Sequence, residues 1–200
     1  MATRGRPRAF DRDIALRQAM EVFWARGYEG TSISDLTTAI GINSPSLYAA
    51  FSCKEALFRE AVELYGKIEG GTSERALTRE PTARAAVEAM LRDNVSVYTE
   101  TDTPPGCMVV LAATVSNPVN DGVRDFLADC RREFVDLLHR RLERGIADGD
   151  VPADADIAAM TEFYATVLHG LSIRARDGSS AATLTKVATA AMATWDALAS

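Results

Sequence analysis

Apolar residues recur along this chain at steps of three and four, and no alternation of apolar and polar positions persists for more than a few residues. That spacing predicts helices and no strands. Residues 11–26 carry Leu16, Ala19, Met20 and Phe23 on one face and meet a stop at Gly27. Two short amphipathic helices follow between Thr31 and Lys54, the first with Leu36 and Ile40 facing inward, the second with Leu47 and Phe51. A longer helix starts at Ser52, with Leu57, Phe58, Ala61, Leu64 and Tyr65 as its stripe, and fades near Gly70-Gly71. Another starts at Thr82, after Pro81, and carries Val87, Leu91, Val95 and Tyr98 up to the loop at 101–106. Cys107 to Val115 is apolar nearly all round and is expected to form a central buried helix, broken at Asn117-Pro118. From Val119 to Gly149 the pattern Val123, Phe126, Leu127, Cys130, Phe134, Leu137, Leu138, Leu142, Ile146 predicts one long helix. Two final helices are lined by Ile157 to Leu171 and by Leu184 to Leu198, joined by residues 174–180. The pattern amounts to an all-α protein of about nine helices.

The segment from Thr31 to Lys54 has the form of a helix-turn-helix. Ser32 is placed to cap the first helix, with Asp35 returning the bond three residues on. Gly41 stops it, since the residue after a C-cap usually needs positive φ. Ser44 is expected as the next N-cap, with Pro45 at the first helical position, where a missing N–H is harmless. Ser46, Tyr48 and Ala49 then point outward. Small side chains at the start of a helix let its backbone approach the floor of a DNA major groove, and a tyrosine beside them reaches a phosphate. Ser52 is expected to cap the following helix, which puts Lys54 in its first turn. A lysine there opposes the helix dipole unless a phosphate is bound; a solvated surface lysine is the alternative.

Ala19, Phe23, Gly27, Tyr28, Thr31, Ser32, Leu47, Tyr48, Phe51, Lys54 and Glu55 stand in an order and spacing that resembles the amino-terminal domain of the TetR family of bacterial transcriptional regulators. Many members carry a basic residue or glycine where this chain has Ser44 and Pro45, and a histidine where it has Ala50. Those departures bear on which bases are read. The resemblance implies a helix-turn-helix DNA-binding domain over residues 11–58 and an effector-binding and dimerisation domain over 59–200. Thr31, Ser32, Ser44, Pro45, Ser46, Tyr48 and Lys54 are the expected DNA contacts. Residues 1–10 form a basic arm, and its Arg4-Gly5-Arg6-Pro7 core looks like an AT-hook, with Arg4 and Arg6 suited to a narrow minor groove. A disordered, solubilising terminus explains the same residues.

Charge supports the division. Residues 1–60 hold eight Lys and Arg against seven Asp and Glu, while the remainder holds fourteen against twenty-one, so the head is basic relative to an acidic body. The overall charge of −6 does not exclude DNA binding, because only local cations neutralise phosphates. Cys53, Cys107 and Cys130 lack pair spacing, and His139 and His169 are the only histidines, so no metal site or cofactor is expected. With neither a bilayer-length apolar run nor a signal-peptide pattern, the chain is expected in the cytoplasm. Nucleophile-and-base pairs and clustered carboxylates are missing, which argues against an enzyme.

Alanines and Gly170 on the last two helices permit close helix approach, and the resemblance implies a homodimer through them; burial as a hairpin within a monomer is the alternative. Two heads then read a palindromic double-stranded operator. The resemblance also implies a small-molecule effector of unknown identity held among the middle helices. Met90, Asn94, Tyr98, Met108, Phe134, Met160, Phe163, Tyr164 and His169 are candidates to line its pocket; ordinary core, or for Asn94 and His169 a bond to a backbone group, is the alternative. The expected function is a repressor released from its operator by that effector. A DNA-binding protein without such control is one alternative, and a redox or electrophile sensor acting through Cys107 at a helix start, or Cys53 beside Lys54, is another.

Overall fold

A computed structural model describes residues 10–112 and 120–200. The basic arm, with Arg4 and Arg6, and residues 113–119, which hold the end of the expected central helix and its Asn117-Pro118 break, lie outside the described residues; the described part of that segment is helical over Met108–Leu111. Among the described residues all regular structure is helical: α1 (Arg12–Arg26), α2 (Ile33–Ile40), α3 (Ser44–Phe51), α4 (Lys54–Ile68), α5 (Thr72–Arg79), α6 (Ala83–Tyr98), α7 (Met108–Leu111), α8 (Asp121–Asp148), α9 (Ile157–Arg176), α10 (Ala181–Met192) and α11 (Trp195–Leu198).

Helix starts follow the chemistry of their caps. Asp11 accepts from the amides of Asp13 and Ile14, and Ser32 with Asp35 forms the expected capping box. Two expected caps move by one residue. Asn43, not Ser44, caps α3: its amide oxygen accepts from Ser46 N at 2.9 Å, which leaves Ser44 and Pro45 inside the first turn. Cys53 replaces Ser52 at the start of α4, with Sγ 3.4 Å from Ala56 N, because Ser52 instead ends α3 at φ 63°. The side chain whose acceptor reaches the third helical amide is the cap, and serine is not the only residue with that reach.

Helix α5 has no counterpart in the apolar periodicity. Its buried face is Thr72, Ser73, Ala76 and Leu77, too short and too polar to register as an apolar stripe. The final helix divides after Met192, where Thr194 Oγ1 donates to Ala191 O and α11 begins.

The interior has two centres. One joins α5, α6, α9, α10 and the C-terminal half of α8 around Met90, Leu91, Leu142 and Tyr164. The other contains α1 to α4 and continues into Met108, Ala112, Val123 and Leu127, so the head shares its core with α7 and the start of α8. Polar ties reinforce this junction. Trp24 Nε1 donates to Gly106 O at 2.9 Å. Arg176, at the end of α9, donates to Pro105 O, Ala25 O and Trp24 O at 2.8–2.9 Å. Arg59 of α4 donates to Gly122 O and lies over the Phe126 ring.

Gly106 sits at φ +80°, and a Cβ there would fall 2.6 Å from Ser172 O and 2.7 Å from Leu111 Cδ1. Neither the backbone of α9 nor the left-handed conformation accommodates a side chain. Gly106→Ala is expected to lower the free energy of urea unfolding by about 2 kcal/mol or more, whereas Gly41→Ala, with open space around its Cβ, is expected to lose about 1 kcal/mol from its positive φ.

Candidate nucleic-acid interface and body cavity

Leu36, Leu47 and Phe51 are fully buried, which fixes the rotation of α2 and α3 and turns the opposite edge to solvent. Tyr48 is 45% exposed and Pro45 is exposed, while Ser44 and Ser46 are half-buried beside them. Ser32 is exposed, its hydroxyl engaged with Asp35. Thr31 departs from expectation. It is buried, and its hydroxyl donates to Gly27 O at 2.7 Å, so its side chain braces the turn before α2.

Lys54 stands at the first position of α4, half-buried. Its Nζ donates to Tyr28 O at 2.7 Å and lies 4.1 Å from the centre of the Tyr28 ring. Carbonyl and π-face supply the negative partner that the helix N-terminus withholds, which explains a lysine here without a bound anion. Burial pulls its pKa below the usual lysine value, partly opposed by Glu29 and Asp35. An ammonium has three protons, so the carbonyl contact does not exhaust it. Around this edge, Arg26 pairs with Asp35 at 2.6 Å, tying α1 to α2, and Arg12 pairs with Glu60 at 2.7 Å, tying α1 to α4.

In the body, a cavity of about 770 Å³ opens between α4, α6, α7, α8 and α9. Val62, Tyr65 and Gly66 of α4 form one wall; Phe126, Cys130 and Phe134 of α8 form another. Of the expected lining residues, Asn94, Tyr98, Phe134 and His169 are on it. Met90, Met108, Met160 and Tyr164 are instead fully buried core residues, and Phe163 packs edge-to-face on Tyr164. Their stripes face neighbouring helices and not the space between them. Tyr65 and Cys130 line the cavity but read in sequence as ordinary stripe positions; no signal in the pattern distinguishes a wall from a core.

Chemically the inner wall is neutral. Asn94 Nδ2 donates to Ser73 Oγ at 2.9 Å and Met90 O at 2.7 Å. Burial first, and then the neighbouring Cys107, raise the phenols of Tyr65 and Tyr98 well above the ordinary tyrosine pKa. Burial likewise pushes the Cys130 thiol up. His169 is held below the ordinary histidine value by burial and by Arg131, against a smaller opposing pull from Glu162. Among the described residues, no group of three or more His, Cys, Asp or Glu is placed to hold a metal, and no helix is long and apolar enough to cross a membrane.

A tri-helical head with an exposed α3 edge, joined through a long helix to a helical body with a cavity, defines a class of helix-turn-helix regulators. Residues 15–61 match the bacterial regulatory proteins of the tetR family, and residues 83–191 match the tetracyclin repressor-like C-terminal domain. The chain belongs to the TetR family. It is 32% identical to the HTH-type transcriptional repressor ComR of Escherichia coli K12, covering 98% of this chain and 94% of that protein. It is 30% identical to the repressor BdcR of the same organism, covering 94% and 90%. A solved cysteine mutant of the TetR family regulator CifR, complexed with 26-base-pair double-stranded operator DNA, superposes with a TM-score of 0.92 at 48% identity, covering 96% of this chain and all of that one.

The His169 environment has a pH consequence. Its folded pKa lies below its unfolded value, so the unfolded chain binds the extra proton first and stability falls as pH drops through the ordinary histidine range. Between about pH 7.5 and about pH 5.5, His169→Gln is expected to lose less urea stability than the unaltered chain. An equal loss in both would remove His169 as the source.

Proposed function

We propose that this chain is a homodimeric, cytoplasmic transcriptional repressor that reads a palindromic operator through α3 and releases it when a small molecule occupies the body cavity. One observation carries the reading: α4 packs Leu57, Phe58 and Ala61 into the head core while its Val62, Tyr65 and Gly66 line the cavity. A ligand that prefers one position of this helix shifts the head attached to it. A coupling of about 1–3 kcal/mol changes operator affinity by about 5- to 150-fold. Similarity to the ComR and BdcR repressors and to operator-bound CifR supports the DNA-binding part. Residues 11–58 serve as the DNA-binding domain, residues 59–200 as the effector and dimer domain, and the basic arm as a minor-groove contact.

Dimerisation is supported by the outer face of α9 and α10. Ile173 and Val187 are 45% and 46% exposed, small residues such as Thr166 and Ala190 are exposed on the same helices, and nothing lies within 4 Å of a Cβ built on Gly170. Such a face allows close approach of a second copy. Val187→Arg is expected to yield monomers in sedimentation and to weaken operator binding, because one short helix alone reads few bases. A stable dimer from that variant would move the interface elsewhere.

A second reading, thiol modification as the releasing event, is favoured by Cys107 and Cys130 facing the same cavity. Alkylation that leaves operator affinity unchanged removes it.

The operator is obtained by selecting bound duplexes from a random library, and affinity is then followed by anisotropy against salt. Tyr48→Ala is expected to weaken binding to selected and random duplexes alike and to reduce the salt slope by about 1. A chain that enriches no duplex overturns the proposal.

A further inference from the structure

The cavity is lined by two phenols and a thiol, and most of its charged residues are exposed to solvent. Tyr65 and Tyr98 are 2% and 3% exposed, and both line the cavity together with Cys107. A thiol is a weak acceptor, so Cys107 is a poor partner for either phenol. Burial keeps both phenols protonated and hence able to donate. An oxygen acceptor entering beside them would offer either hydroxyl a stronger bond than a thiol can. Of the charged lining residues, Glu63, Asp129, Arg132, Glu133 and Asp136 are exposed to solvent and Arg131 is half-buried. Arg131 is tied to Val109 O at 3.0 Å, Arg132 pairs with Asp129, and Glu63, Asp129, Glu133 and Asp136 outnumber the two arginines in the lining. A carboxylate ligand would cross an acidic mouth and then lose its hydration beside neutral phenols. An ammonium would be drawn to the mouth but meet no carboxylate inside. The remaining walls, from Val62 to Phe134, are largely apolar, and the volume lies within the roughly 300–1,000 Å³ usual for small-molecule sites.

We propose that the cavity selects an uncharged, mostly apolar molecule bearing a carbonyl or ether oxygen, which accepts from the hydroxyls of Tyr65 and Tyr98. This rests on the effector reading above and names the class of ligand that reading requires. The test compares matched probes, octanone, octanoate and octylamine, by calorimetry on the full chain and on Tyr98→Phe and Tyr65→Phe, each first checked for an unchanged unfolding midpoint. The ketone is expected to bind at least about tenfold more tightly than either ion, and either phenylalanine variant to lose about tenfold for the ketone alone, the equivalent of one hydrogen bond. Octanoate or octylamine binding as tightly as the ketone overturns the proposal. So does ketone binding that is indifferent to both hydroxyls, or no binding by any probe. Anisotropy on the selected operator separates the two claims: a ketone that binds as expected yet leaves operator affinity unchanged supports the ligand class and defeats effector-controlled release.

Discussion

The packing of α1 against α4 is the contact on which the rest of the molecule depends. Phe23 meets Phe58 edge-to-face at 5.0 Å, Tyr28 meets the same ring at 5.1 Å, and Trp24 meets Tyr65 edge-to-face at 4.9 Å. Such pairs contribute about 0.5–1.5 kcal/mol each beyond the area they bury. Their geometry matters more than their sum. Edge-to-face rings fix both the distance and the rotation of one helix on another, so α4 has no freedom to slide without disturbing the head. Tyr65 belongs to this cluster and to the cavity wall at once, which places the binding chemistry of the body in direct contact with the packing of the head.

A second connection runs in parallel. The Pro105–Cys107 loop is gripped from three sides: by Trp24 from the head, by Ser172 Oγ accepting from Cys107 N at 2.8 Å, and by Arg176. Arg176 also closes off two carbonyls at the end of α1. An arginine fork suits this duty, since its planar donors satisfy several carbonyls without needing a carboxylate. Helix α9 therefore reports on the same loop that carries Cys107, and the end of α9 is bound to the end of α1. Among the described residues, cavity and head are joined through a shared aromatic core and through a polar clasp.

The surface ion pairs play a smaller part. Arg12–Glu60 and Arg26–Asp35 are solvent-accessible and worth roughly 0–1 kcal/mol each. They orient α1 with respect to α2 and α4 but do not hold it there. Lys54 differs because a carbonyl and a ring face enclose it, which gives its ammonium a fixed position at the edge of α3.

Helix periodicity makes most of this architecture legible: α1, α2, α6 and α8 begin and end close to where caps, glycines and stripes put them, because a helix edge is decided by a few neighbouring residues. The exposed edge of α3 is legible for the same reason, since Leu47 and Phe51 fix its rotation. The caps Asn43 and Cys53 fall one residue from the expected serines because several neighbours compete for the same amide. Thr31 departs from its expected role because sequence does not show whether a hydroxyl faces solvent or a carbonyl four residues back. The cavity is barely legible. Tyr98 lines it while Tyr164 does not, although both sit on apolar stripes of the same periodicity. Local spacing determines which face of a helix turns inward; whether that face meets a neighbour or an empty space depends on how helices distant in sequence cross. That is a property of the assembled bundle, and only the tertiary structure decides it.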